Sequence, residues 1–416
     1  MYNLHLTAEQ QEIRETVRDF VAREVKPVAL KPDRLEASER NYPPEILERA
    51  SRMGLRTLAL PDALGGAGAD NLTCCIVAEE LAVGDVNFAA TFAATVTLSQ
   101  ALFERAMSPE QRTRFLPQFV ADDSYHLAYA GIEPAFDADL GGRYHRPFAA
   151  DVGIKLTAVR QNNGDWVVNG TTDYVANAPI AKLIAVEART DSKATGMNGV
   201  STLLVPRDTP GLSLRNPDTD PDGEPLYVWH HGTGAELEFK DCRVPASNLL
   251  GAEGRSLLAG GEASAGRGSP LVQAMNLGVG RAAYEAALDY AKLRVQGGRP
   301  IIEHQAIGML LAEIAIRLEV ARNVVWKAAW AADHPDAYTD PNIVDLPLQR
   351  IARVFTADAM HKVALKAAEV FGAMGVMRDM PLQKYVHDAL VFVHAGAGSD
   401  VETLKIAEAI AGYERP

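Results

Sequence analysis

Apolar residues recur at helical spacing from the start of the chain. Ile13, Val17, Phe20, Val21 and Val25 follow Thr7 and Gln10, a pair with the spacing of a capping box. Pro27 is expected to end that helix. Further helical stretches are predicted over residues 44–53, 72–83 and 89–103, with Gly65-Gly66-Ala67-Gly68 breaking the chain between the first two. After Tyr125 the period changes to two. Ile154, Leu156 and Ala158 alternate with polar residues, Asn162-Asn163-Gly164-Asp165 turns the chain, and Trp166 and Val168 resume the alternation, as in a hairpin. Residues 183–186, 201–205 and 236–239 read as further strands, among loops rich in Pro, Gly and Asp. Beyond Gly251 the helical period returns. Ile314, Leu318, Ala321 and Val325 mark one long amphipathic helix, and residues 356–370 another.

The order is helices, then strands, then helices, unlike the alternation of a doubly wound sheet. The expected organisation is a helical unit over residues 1–125, a β-unit over 126–245 and a second helical unit over 246–416. No internal repeat at a solenoid period is visible.

Composition narrows the class. A chain of 416 residues suffices for two to three units with substantial cores. With 47% hydrophobic and 23% charged residues it is ordinary globular material, not a disordered or collagenous chain. A net charge of −13 leaves no basic excess to neutralise phosphates, so no nucleic-acid partner is expected. One anionic small molecule in a local basic pocket stays compatible with it. Cys74, Cys75 and Cys242 are too few and too badly spaced for a disulfide framework or a zinc site. Met1-Tyr2-Asn3-Leu4 turns polar at once, and no run of about 18 apolar residues is visible. A cytoplasmic chain without a membrane span is the expectation.

Gly278-Val279-Gly280-Arg281-Ala282-Ala283 matches the G-x-G-x-x-A form of the dinucleotide fingerprint. That fingerprint needs a preceding strand and a tight turn, and here the segment lies inside a predicted helix of small residues, where glycines let helices approach closely. His230-His231, His387 and His394 stand in no metal-ligand pattern, and a lone histidine is more often a packing residue.

A set of short segments in a fixed order is more telling. Pro61 with Gly65 to Gly68 is followed by Glu79-Glu80-Leu81, then YAGIEP over 129–134 and FKDCRVP over 239–245 with Asn248-Leu249-Leu250-Gly251. RVQGG over 294–298 precedes Glu303-His304-Gln305, and FGAMG over 371–375 with Tyr385-Val386-His387-Asp388 completes the series. Together these resemble the acyl-CoA dehydrogenase family of flavoproteins across nearly the whole chain.

The resemblance implies an α+β fold: an N-terminal helical domain, a central β-barrel or sandwich domain and a C-terminal four-helix bundle, assembled as a homotetramer. It implies FAD at the junction of the β-domain and the bundle, its adenine end completed by a neighbouring subunit. Carried over by position, Tyr129, Gly131 and Ile132 would line the flavin, and Tyr174, Val175 and Ala176 replace the family's W-I-T/S contact. Arg294 matches the arginine that reaches the pyrophosphate, followed by His304 and Gln305. Glu369, Gly372 and Ala373 fall in the Q-x-x-G-G segment near the ADP moiety, and Gly398 and Asp400, just after the usual base position, are further cofactor contacts by the same resemblance. The substrate implied is an acyl-CoA thioester and the acceptor an electron-transferring flavoprotein, with molecular oxygen as another possible acceptor.

The chain departs from the family at the base. The usual glutamate falls on Gly396, or on Ala395 with a one-residue slip, and a second family location falls near Pro270. None of these accepts a proton. By residue type and nearness in sequence, Asp400, His394, Asp137 and Asp139 are the candidates for a relocated base. The flavin-facing hydroxyl is replaced by Ala176 and the Q-x-x-G-G glutamine by Glu369. Three readings follow: an α,β-dehydrogenase with a non-standard base, a desulfinase-like lyase eliminating a β-leaving group from an acyl-CoA, or a silent FAD- or acyl-CoA-binding subunit of a hetero-oligomer.

Overall fold

The computed structural model describes residues 5–31, 41–131, 154–194, 197–215, 230–258, 270–334, 347–377, 379–394 and 398–411. The first helix, α1 (Ala8–Phe20), opens on the expected capping box, with Thr7 Oγ1 accepting from the Gln10 amide at 3.1 Å. Pro27 does not end the helical path. A π turn over Val21–Val25 adds a residue, Lys26 N–H bonds to the Val21 carbonyl, and Pro27 enters a new turn, Lys26–Ala29, at its start. A first-turn proline lacks only a donor that the helix does not use, which is why the path survives it.

Helices α2 (Pro44–Arg52), α3 (Asn71–Gly84), α4 (Val86–Ser99) and α5 (Pro109–Ala121) complete the N-terminal unit. Asp85 separates α3 from α4 and caps the latter, its Oδ1 accepting from the Asn87 amide at 2.8 Å. Helix α4 continues into a π turn over Gln100–Ala106. The stretch Val86–Ala106 is, by length and composition, apolar enough to cross a membrane, which composition alone had not suggested. Its window is 78% buried inside the protein, the mark of a core helix.

Among the described residues the central unit is one eight-stranded sheet. Its strands are β1 (His126–Ala130), β2 (Thr157–Arg160), β3 (Trp166–Ala176), β4 (Ala181–Arg189), β5 (Val200–Pro206), β6 (Leu212–Arg215), β7 (Gly234–Val244) and β8 (Leu249–Leu250), and all but β1 run in the order β6-β7-β3-β2-β4-β5-β8. Strand β1 pairs parallel with β4, Tyr129 opposite Ala185. The predicted hairpin is present, with Ala158 opposite Val168 and Trp166 buried.

The C-terminal unit packs α6 (Pro270–Leu293), α7 (Gln305–Asp333), α8 (Leu348–Phe371) and α9 (Leu382–His394), with α10 (Gly398–Ala411) against α8. A small hairpin, β9 (Val295–Gln296) and β10 (Arg299–Pro300), joins α6 to α7. Ile314, Leu318, Ala321 and Val325 all face the core. The G-x-G-x-x-A segment lies inside α6. A Cβ on Gly278 would sit 2.5 Å from the Glu79 carbonyl oxygen of α3, and one on Gly280 2.3 Å from Met360 Sδ of α8. The glycines are therefore contact points between helices.

One continuous hydrophobic core runs from Val17 through α3 and α4 into α6–α9, so the two helical units share an interior. A second core lies on the sheet. A buried ion network crosses the seam: Arg281 of α6 bonds Glu79 at 2.7 Å and also pairs with Glu80, Arg18 of α1 bonds Glu80 at 2.8 Å, and Arg322 of α7 bonds Glu79 at 3.0 Å. Burial works to raise the Glu80 carboxyl, and the Arg281 and Arg18 hydrogen bonds overcome it and hold it low.

Candidate active site

Where the N-terminal helices, the sheet and the bundle meet, a cavity of about 310 Å³ opens. Small and apolar residues of α4 (Ala90, Ala93, Ala94, Leu98) and of the first turns of α6 (Leu271, Val272, Met275) form one side. Tyr129 of β1, Tyr174 and Ala176 of β3, and the His230-His231 pair form the other, with Phe392 of α9. Leu127, Ala128 and Tyr129 all line it. Successive strand side chains point to opposite faces, so three in a row means that the edge of β1 itself borders the space. That edge is the one not used by β4.

The tyrosines are fixed by hydrogen bonds. Tyr174 donates to the Gly232 carbonyl at 3.0 Å, and the His230 ring lies flat on it, 3.7 Å between centroids. Tyr129 donates to Glu187 Oε1 at 3.3 Å, and the same oxygen accepts from Ser256 at 2.8 Å and Thr202 at 2.9 Å. Glu187 is fully buried, and burial pushes its carboxyl up to about 7 against those three hydrogen bonds.

His231 Nε2 lies 3.0 Å from the main-chain oxygen of Asp388, and its ring packs 4.2 Å from that of Phe392. The Asp388 carboxylate belongs to a buried cluster. Lys384 Nζ sits 2.5 Å from Asp388 Oδ2 and 3.1 Å from Asp85 Oδ1, and Tyr42 donates to Asp85 Oδ2 at 2.6 Å. Burial alone would raise Asp388, yet Lys384 holds it far below the usual carboxylate range.

The residues expected from sequence divide into groups. Tyr129, Tyr174 and Ala176 meet at the cavity, and Gly131 lies under the Tyr129 ring, where a Cβ would approach it to 2.2 Å. Val175, between Tyr174 and Ala176, turns the other way into the sheet core, as alternation requires. Arg294, Gln305, Glu369, Gly372 and Ala373 are exposed and His304 is half-buried. They sit at the far end of the bundle, where Tyr290 of α6 stacks on Phe371 of α8 at 4.1 Å. His304 Nε2 is 2.9 Å from the Gln296 carbonyl, which anchors the hairpin there. From Met275 to Leu293 is roughly 27 Å at the helical rise of 1.5 Å per residue. One chain therefore holds these residues apart from the cavity.

Of the base candidates, His394 is exposed at the end of α9 and Asp400 is exposed in the first turn of α10, and neither lines the cavity. Ile132, Asp137, Asp139, Ala395 and Gly396 lie outside the described residues, and of Gly398 only its place at the start of α10 is described. His230 and His231 are wall residues of the cavity, although the sequence pattern around them reads as that of packing histidines. The signal that marks them is tertiary.

An apolar space bounded by two tyrosines and a small Ala176 fits the flat ring system of a flavin. A helical unit and a bundle sharing one core, with a sheet closing the cavity between them, define a flavoprotein architecture of the acyl-thioester dehydrogenase type. The chain belongs to the acyl-CoA dehydrogenase family: the family's N-terminal, middle and C-terminal domains match residues 7–123, 149–226 and 264–411. It is 29% identical over 412 residues to a probable acyl-CoA dehydrogenase of Bacillus subtilis, covering 97% of this chain and 98% of that protein. It is also 29% identical to the mitochondrial short-chain specific acyl-CoA dehydrogenase of Rattus norvegicus, covering 97% and 90%. The butyryl-CoA dehydrogenase of Megasphaera elsdenii superposes with a TM-score of 0.82 at 25% identity, over 99% of this chain and 100% of that one.

Proposed function

We propose that the protein is an FAD-dependent dehydrogenase that introduces an α,β double bond into an acyl-CoA thioester and passes the electrons to an electron-transferring flavoprotein. The observation that carries this reading is the meeting of Tyr129, Tyr174 and Ala176, all flavin positions by resemblance, with an apolar wall from α4 and α6. When bound there, FAD supplies the hydride acceptor. The chain's own part would be to orient: Tyr129 and Tyr174, each held by a hydrogen bond, would border the ring, and the alanines of α4 with Leu271 and Met275 would keep water from an aliphatic acyl group.

The flavin would be shared between subunits of a homotetramer. Arg294, His304 and Glu369 lie at the end of the bundle remote from their own cavity, a placement that suits contact with the dinucleotide of a neighbour. Since position 396 is glycine, the α-proton goes to a group other than the family's glutamate.

Absorbance of the purified protein and anaerobic titration with straight- and branched-chain acyl-CoA thioesters of four to eight carbons test the reading. Flavin absorbance that bleaches with at least one thioester is the expected result. Colourless protein that does not take up added FAD, or a flavin that none of them reduces, overturns it. Release of an inorganic leaving group without bleaching points to elimination instead.

A further inference from the structure

We propose that Glu187 is a positioning residue of the cofactor pocket, which fixes Tyr129 in the cavity wall and makes FAD binding depend on pH. The inference rests on the flavin reading above. Glu187 is not itself among the described residues that line the cavity. It stands behind the wall, on the face of β4 that also carries Leu183 and Ala185. Register gathers its neighbours: Thr202 of β5 lies opposite Glu187, and Tyr129 of β1 lies opposite Ala185. The rest of that face is apolar, with Leu127, Leu204 and Leu250 in the same buried cluster.

The carboxyl is satisfied on one side only. Tyr129, Thr202 and Ser256 all donate to Oε1, at 3.3, 2.9 and 2.8 Å, while Oε2 is buried and has no hydrogen-bond partner. An ionised group would leave charge on an oxygen that nothing solvates, whereas a neutral acid leaves only a hydroxyl there. The elements around it supply no counter-charge. Strand β1, strand β5 and the loop after β8 each present a neutral hydroxyl, and among the described residues no charged side chain acts on the group. Burial accordingly raises the carboxyl to about 7. Geometry and titration agree that Glu187 carries a proton on Oε2.

Tyr129 is thereby held at two points. Its ring lies over Gly131, where a Cβ would approach to 2.2 Å, and its hydroxyl reaches Glu187. A flavin seated against that ring covers the wall from the cavity side and makes the place behind it drier. Drier surroundings favour the neutral carboxyl over the charged one, so the bound state holds the Glu187 proton more firmly than the free state. Binding and protonation are then linked: FAD binds the protonated form more tightly, and affinity falls as pH rises through about 7.

Flavin fluorescence released on dilution of the FAD-loaded protein gives the dissociation constant at pH 6 and pH 8.5. The weakening between the two should be at least about threefold larger in wild type than in Glu187→Gln, with about 30-fold as the limit for a group that titrates near 7. A smaller difference overturns the pH link. At pH 6, Glu187→Gln keeps an acceptor for Tyr129 and should hold FAD as wild type does. Glu187→Leu keeps none and should bind it about two- to tenfold more weakly, the worth of one hydrogen bond. Equal affinity in the two variants overturns the positioning role. If the leucine variant misfolds, Tyr129→Phe decides by the same measure. The infrared difference between wild type and Glu187→Gln at pH 6 should contain the C=O stretch of a protonated carboxyl, and its absence overturns the neutral acid. These failures strike the inference alone; a wild type that retains no FAD removes the function with it.

Discussion

The hydroxyl of Tyr129 donates to Glu187 Oε1 at 3.3 Å, tying a wall of the cavity to a carboxyl with no exposed surface. Burial raises that carboxyl from the usual 4.5 to about 7, so between those values the folded chain holds a proton that the unfolded chain has released. Stability is then greatest below pH 4.5 as far as this group is concerned, and falls as pH rises towards 7. Glu187→Gln removes the titration. Urea unfolding from pH 5 to 8 should lose a pH-dependent component of up to about 3 kcal/mol, and a profile that overlays wild type would contradict a neutral Glu187.

Arg281 stands between two buried carboxylates, Glu79 and Glu80, with its own side chain 14% exposed. Removing it leaves Arg322 on Glu79 and Arg18 on Glu80 as the remaining partners. Arg281→Ala should cost about 3–5 kcal/mol, the usual effect of breaking a buried pair on one side. A denaturation midpoint unchanged from wild type would show that the network contributes nothing across the α3–α6 seam.

Gly278→Ala distinguishes helix packing from dinucleotide binding in the G-x-G-x-x-A segment. The new methyl would meet the Glu79 carbonyl at 2.5 Å, a backbone atom that moves only with α3. A loss of about 1–3 kcal/mol in stability is expected, with the flavin content of the folded protein unchanged. Lower flavin content at full stability would restore the fingerprint reading.

Arg294→Ala should lower the flavin-to-protein ratio on dilution and gel filtration while leaving the unfolding free energy of the flavin-free protein within about 0.5 kcal/mol of wild type, since Arg294 is exposed. Flavin retention equal to wild type would detach Arg294 from the cofactor.

Local pattern carried much of the architecture. The hairpin turning at Asn162 to Asp165 has the expected pairing, and alternation along β3 already puts Tyr174 and Ala176 on one face and Val175 on the other. The capping box at Thr7 and Gln10 formed as spaced. Failures came where the deciding contact is distant or cooperative. Pro27 looked like a stop because periodicity does not foresee a π turn that absorbs it. Lys384 meets Asp85 across 299 positions, and His231 meets the Asp388 carbonyl across 157. Nothing local separates His231 from His126, a buried histidine that desolvation, with Arg56 nearby, pushes down to about 3 and keeps neutral. Which imidazole packs and which faces a cavity is a property of the folded chain.

The shared interior of the two helical units bears on how the protein is made. Helix α3 is buried almost throughout, and α6, which Gly278 lets it touch, lies nearly 200 residues downstream. At ribosomal speeds of about 5–20 residues per second, the interval between them is roughly 10–40 seconds. For that time the side of the N-terminal helices that meets α6 lacks its cover, while the sheet that emerges in between can already receive α5 and the end of α4. The three family modules are contiguous in sequence, but the first cannot mature before the last. Chaperone demand during synthesis should therefore fall on the face of α3 that awaits α6, and truncation before α6 should leave that face uncovered while α5 and the end of α4 still pack on the sheet.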